Sequence, residues 1–160
     1  MAGDLAVSAD TEFARFLCAQ LIARQAVARA HAVCPPHALP QPPGQLENLA
    51  ADLLELGFSP VEAAAPLSFD NGYEALGAAW VVSGSSLGNR AMLVRRRKQG
   101  LMNGNRFLSD PALAAYFAAL LPVLDRTFEE SEVASAVRGA TLAFDAFEKA
   151  FFDCMLKTAA

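Results

Sequence analysis

The sequence predicts an all-α fold, and three observations carry that expectation. Hydrophobic residues make up 54% of the chain, and most of them are alanine, leucine and phenylalanine at helical spacing. Good capping residues stand at three of the segment starts, Ser8 or Asp10, Asp70 or Asn71, and Ser109-Asp110, and the breaks between segments are rich in proline or glycine. A chain of 160 residues is most simply one domain with one core, so residues 1–160 are read as a single unit.

The first helix is expected from Ser8 or Asp10 to about Val33, with Phe13, Phe16, Leu17, Gln20, Leu21 and Val27 at a spacing of three to four. Arg24 falls on the same line, so that face is not purely apolar. Residues 34–44 hold five prolines, which forbid a helix and make an extended tether inside the domain. A second helix is predicted over Gln45–Leu56, with Leu46, Leu49, Leu53 and Leu56 on one face and Gly57 as its C-cap. Ser59-Pro60 is expected to open a short helical turn that ends before Pro66. Asp70 or Asn71 caps a long helix that ends near Lys98 and bends at Gly84–Gly88. Residues 99–108 read as a loop. Ser109-Asp110-Pro111 starts a further helix to about Phe128, kinked at Pro122. The last helix is predicted from about Glu130 to Lys157.

Composition excludes several classes of function. A net charge of −4 and a pI near 5.1 argue against nucleic acid as a partner. No apolar run reaches membrane-spanning length, and no basic region followed by an apolar stretch marks a secretory signal. Cys18, Cys34 and Cys154 are odd in number and widely spaced, which points to reduced thiols in a cytoplasmic protein.

The most informative segment is Gly77 to Arg90. A glycine inside a helix costs about 1 kcal/mol relative to alanine. At about 100° per residue, Gly77, Gly84 and Gly88 fall within roughly 40° of one another around the axis, and Ala91 continues the line. The helix therefore carries a bare seam that a flat ligand or another helix can approach closely. Ser83 and Ser86 stand beside it, placed to hydrogen-bond locally or to help the bend.

Three stretches resemble one family in its own order. Leu76-Gly77-Ala78-Ala79-Trp80-Val81-Val82-Ser83-Gly84-Ser85-Ser86-Leu87-Gly88-Asn89 resembles the distal helix of the bacterial, biliverdin-producing heme oxygenases. Phe13-Ala14-Arg15-Phe16-Leu17-Cys18-Ala19-Gln20 and Leu49-Ala50-Ala51-Asp52-Leu53-Leu54-Glu55-Leu56-Gly57 are similar to two further segments of that family. The resemblance covers most of residues 13–150. It implies a heme-oxygenase-like helical bundle, heme as the cofactor, and a binding set of Gly77, Gly84, Ser85, Gly88 and Arg90. It also implies a proximal histidine on a helix upstream of Phe13. None of Met1 to Glu12 is histidine, and Ser83 stands where the family has glutamate, so the bundle is expected to be shortened at its N-terminus.

The seam thus has three readings: one face of a heme, a close helix–helix contact, or an inherited relic. His31, Cys34 and His37 are the one gathering of imidazole and thiol groups, and they are the candidates for a substitute heme ligand. Three ligands fall short of the four that structural zinc wants. The alternative for them is a histidine at a helix C-terminus and a solvated one in the loop. Arg95 to Lys98 either pair with heme propionates, bind an acidic partner, or cap a solvated helix end, and Arg24 and Arg29 have the same status. Asp52 and Ser83 are not assigned to any proton-relay network. No nucleophile elbow or phosphate-binding loop is present.

With the upstream helix missing, Phe147, Phe151, Phe152 and Met155 are expected to form an uncovered patch for a protein partner or a second copy. The function expected is a divergent heme-oxygenase-like protein without conventional heme-degrading activity. It would act as a tetrapyrrole-binding or protein-interaction (regulatory) module. The alternative is an active heme oxygenase that cleaves heme to biliverdin, carbon monoxide and iron through a non-standard axial ligand.

Overall fold

A computed structural model describes residues 2–62, 65–156 and 158–159, with side chains from Ala9 onward. Among the described residues seven helices follow in order: α1 (Ala2–Val33), α2 (Leu46–Glu55), α3 (Gly72–Gly84), α4 (Ser86–Lys98), α5 (Arg106–Ser109), α6 (Ala112–Leu124) and α7 (Glu130–Asp153). No strand occurs among the described residues, only an isolated antiparallel bridge between Phe58 and Thr158. No helix is long and apolar enough to cross a membrane among them.

The long helix α1 lies against α2, α3 and α7, and the most extensive packing is α3 on α7. Leu17 and Leu21 of α1 meet Leu49 and Leu53 of α2, Phe107 and Leu113 in the main core. The periodicity of α1 and α2 that marked their buried faces is the reason these residues meet. Removing each such leucine from water is worth about 1.5–3 kcal/mol.

Several elements depart from their expected bounds. Asp10 does not start α1, because the helix runs from Ala2 and Asp10 instead pairs with Arg96 at 3.4 Å. The helical turn expected after Ser59-Pro60 is absent over residues 59–62, and Ala63 and Ala64 lie outside the described residues. Instead, Gly57 accepts a hydrogen bond through its carbonyl from Ala159 N–H at 2.9 Å, so this stretch runs beside the C-terminal segment. The expected loop 99–108 contains the single turn α5. Asp52, wholly buried, accepts from the N–H groups of Arg106 (3.1 Å) and Phe107 (2.8 Å) and so holds that turn on α2. Pro122 sits in the last turn of α6, which ends at Leu124 rather than Phe128. Helix α7 ends at Asp153, and Lys157 lies outside the described residues.

The cysteines are a further correction. Cys18 and Cys154 form a disulfide, with Cα atoms 6.3 Å apart across 136 residues of sequence, and Cys34 is free. Wide spacing in sequence does not oppose pairing when α1 and the end of α7 lie side by side.

Candidate functional site

The expected long helix from Asn71 is divided at Ser85 into α3 and α4. Asn71 caps it as expected, its side chain accepting from Tyr73 and Glu74 N–H at 3.0 Å each. The break is built from local serine chemistry. Ser83 Oγ donates back to the Ala79 carbonyl at 2.6 Å, and Ser85 Oγ donates to the Val82 carbonyl at 2.7 Å. Such back-bonding competes with the helix ladder and bends it.

The glycines of the seam have three different surroundings. At Gly77 an added Cβ would overlap the Ala136 carbonyl oxygen and lie 2.9 Å from Ala140 N, so this glycine is consumed by close contact with α7. Gly139 returns the contact, since a Cβ there would lie 2.6 Å from Glu74 Cα. At Gly84 the nearest atom to such a Cβ is Phe117 Cε2 at 3.6 Å, and at Gly88 nothing lies within 4 Å. The seam is therefore a helix crossing at Gly77 and open only from Gly84 onward.

An apolar groove of about 430 Å³ opens at that second half, between α1, α3–α4, α6 and α7. Its walls carry Trp80, Phe117, Phe144, Phe147 and Phe151. Trp80 meets Phe144 edge to face, with ring centroids 6.4 Å apart, yet the two rings stay 42% and 55% exposed. Gln20, Val81, Gly84, Ser85 and Leu87 complete the lining. A second apolar groove of about 310 Å³ lies on the far side of Trp80, lined by Leu76, Leu124, Phe128 and Val137.

Behind the polar wall of the first groove sits Arg24, only 1% exposed. Sequence periodicity placed it on the buried line, but its charge pointed to solvent or a ligand carboxylate at the surface. It donates to Gln20 Oε1 (2.9 Å), Ser85 Oγ (2.6 Å) and the Val82 carbonyl (3.4 Å). Its guanidinium also lies against Phe107 and Phe147. Among the described residues Nη1 has no hydrogen-bond partner, and neither has Ser86 Oγ. Burial pulls the guanidinium pKa down to about 9, with no carboxylate among the described residues to offset it.

The imidazole and thiol groups do not converge. His31 is 1% exposed, and its Nε2 bonds the Ala75 carbonyl at 2.9 Å, which ties α1 to α3. Burial lowers its pKa, against a smaller upward pull from that carbonyl. His37 is exposed and stacks on Tyr73, with ring centroids 4.6 Å apart. Cys34 lies in a separate groove beside Leu67 and Phe69. No group of three metal-ligating side chains occurs among the described residues. The residues lining the first groove include no histidine, cysteine, methionine or tyrosine, so they do not fit an iron-ligating heme, and Tyr73 in the second groove is the one side chain of an iron-ligating type in either lining.

The basic run divides as well. Arg95, Arg97 and Lys98 are exposed, whereas Arg96 is buried over the Phe13 ring, 3.6 Å from its centroid, and bonds Asn105 Oδ1 at 2.8 Å. Arg90 is exposed one turn beyond the groove. The aromatic groove was invisible in the sequence because its walls come from four segments, and only Gly84 and Ser85 of its lining belong to the expected set. Gly88 and Arg90 lie beyond it on α4, and Gly77 lies at the helix crossing, where it lines the second groove instead. No family profile matches the chain, and no curated protein or solved structure shows a significant match to it.

Proposed function

We propose that this protein is a non-catalytic binding module that holds a planar apolar molecule of the tetrapyrrole class in the groove beside Trp80. The observation that carries this reading is the aromatic groove itself, with half-exposed rings in its walls and the bare backbone of Gly84 one turn from Trp80. Aromatic side chains bury large areas and favour offset or edge-on stacking, which suits a flat conjugated ligand. The heme-oxygenase-like resemblance supports the ligand class, because its distal-helix segment supplies Gly84 and Ser85 of the lining.

Turnover is not part of this reading. Heme oxygenation needs an axial ligand on the iron, and the described groove lining offers no imidazole or thiolate for it. A protein-interaction role is the second reading. The specific observation for it is the exposure of Val137, Phe144 and Phe151 at seven-residue intervals along α7, which is the spacing of a helix-docking face.

Trp80 is the sole tryptophan and lines both grooves, so its fluorescence reports on them directly. Titration with biliverdin is expected to quench it saturably at one ligand per chain. Gly84→Leu places a side chain in the groove and is expected to weaken binding by about tenfold or more, about 1.4 kcal/mol, with the helical circular dichroism unchanged. Unsaturable quenching, or equal affinity in Gly84→Leu, contradicts the reading.

A further inference from the structure

We infer that Arg24, acting through the Ser85 hydroxyl, is the anchor for an acidic end of the groove's ligand, so that the ligand is an apolar carboxylic acid rather than a neutral molecule. The inference rests on the groove reading above and names the chemistry of its inner end.

Four observations converge on it. Arg24 is a fully buried cation with no carboxylate partner among the described residues, although unpaired buried charges are costly and rarely kept without use. Its Nη1 is orphaned, and so is the hydroxyl of Ser86, next in chain to Ser85. The two side chains that hold Arg24, Gln20 and Ser85, are themselves part of the groove lining, and Gln20 is buried. Phe147 completes the connection, with one face against the guanidinium and a place in the groove wall.

Ser85 is built to pass the charge on. Its oxygen accepts from Arg24 Nη2, and its proton rests on the Val82 carbonyl. A carboxylate arriving from the groove takes that proton as a hydrogen bond. The Val82 carbonyl then keeps Arg24 Nη2 as its donor, already within 3.4 Å. No buried acceptor is stranded by the exchange, and the cation gains the counter-charge it lacks. A single guanidinium matches one carboxylate, while the apolar walls select the skeleton that carries it. Bound acid would also restore the depressed basicity of Arg24.

The test compares two probes with one skeleton, 1-pyrenebutyric acid and 1-pyrenebutanol, by quenching of Trp80 in the full chain. The expected result is saturable binding of both, with the acid tighter by about tenfold or more. Arg24→Met is expected to bring the acid down to the level of the alcohol and leave the alcohol unchanged. Ser85→Ala is expected to remove most of the acid's advantage, and it decides the matter if Arg24→Met does not fold. Equal affinity of the two probes in the natural chain overturns the inference and leaves the groove reading intact. Failure of both probes to bind overturns both. An acid preference that survives Ser85→Ala and Arg24→Met places the anion elsewhere, such as at Arg90, and also overturns it.

Discussion

Arg24, His31 and Asp52 are buried polar residues with three different justifications. Asp52 is repaid within the fold by two backbone N–H groups and the Arg106 guanidinium at 3.2 Å. His31 is held neutral, since burial lowers its pKa from the ordinary 6.5. The unfolded chain therefore takes up a proton on this ring at a higher pH than the folded one. Stability is full above about pH 6.5 and falls as the pH drops through that value toward the folded pKa. The expected slope is at most about 1.4 kcal/mol per pH unit, read by urea unfolding between about pH 7 and 5. His31→Gln is expected to flatten it, and an unchanged slope would assign the effect to other groups. Arg24 has no carboxylate counterpart among the described residues, which is the basis of the ligand-facing role proposed for it.

At the scale of elements, the crossing of α3 and α7 depends on a pair of glycines in contact with the opposite backbone. Gly139→Ala pushes a methyl group into the Glu74 main chain, where nothing flexible can yield. It is expected to cost roughly 1–3 kcal/mol, measured as a lower urea midpoint at unchanged slope. Gly88→Ala, with open space around it, serves as the neutral control. The same elements show what the sequence could and could not disclose. The Asn71 cap, the leucine face of α2, the proline tether and the break near Gly84 are local signals and were legible. The turn α5 was not, because it depends on Asp52, which lies 54 residues away from Arg106. Likewise, glycine spacing showed a bare face but not what covers it, and the answer changes from helix α7 at Gly77 to open groove at Gly84. Arg96 belonged by composition to a solvated run, and only the fold reveals Asp10 and Phe13 around it.

Across the whole molecule, the two ends are joined. The Cys18–Cys154 disulfide links α1 to the end of α7, and the tail continues to the Phe58–Thr158 bridge. Cys18 lies two residues before Gln20 and Cys154 three after Phe151, so the bond also sets the α1–α7 side of the groove. Closing so long a loop stabilises by roughly 2–5 kcal/mol. Cys154→Ser is expected to lower the thermal midpoint of the oxidised protein by that equivalent, and dithiothreitol should bring the natural chain to the same value. Equal midpoints with and without reductant would show that the bond does not form in solution.

The groove beside Trp80 is proposed to hold a planar ligand without turning it over. The most direct test is a hemin titration of the oxidised full chain, followed by Trp80 fluorescence and by absorption before and after ascorbate. The expected result is saturable quenching at one hemin per chain, with a Soret band that persists after ascorbate. A Soret band that bleaches into a biliverdin spectrum would contradict the non-catalytic reading, and a spectrum of free hemin with unquenched Trp80 would contradict the binding site itself.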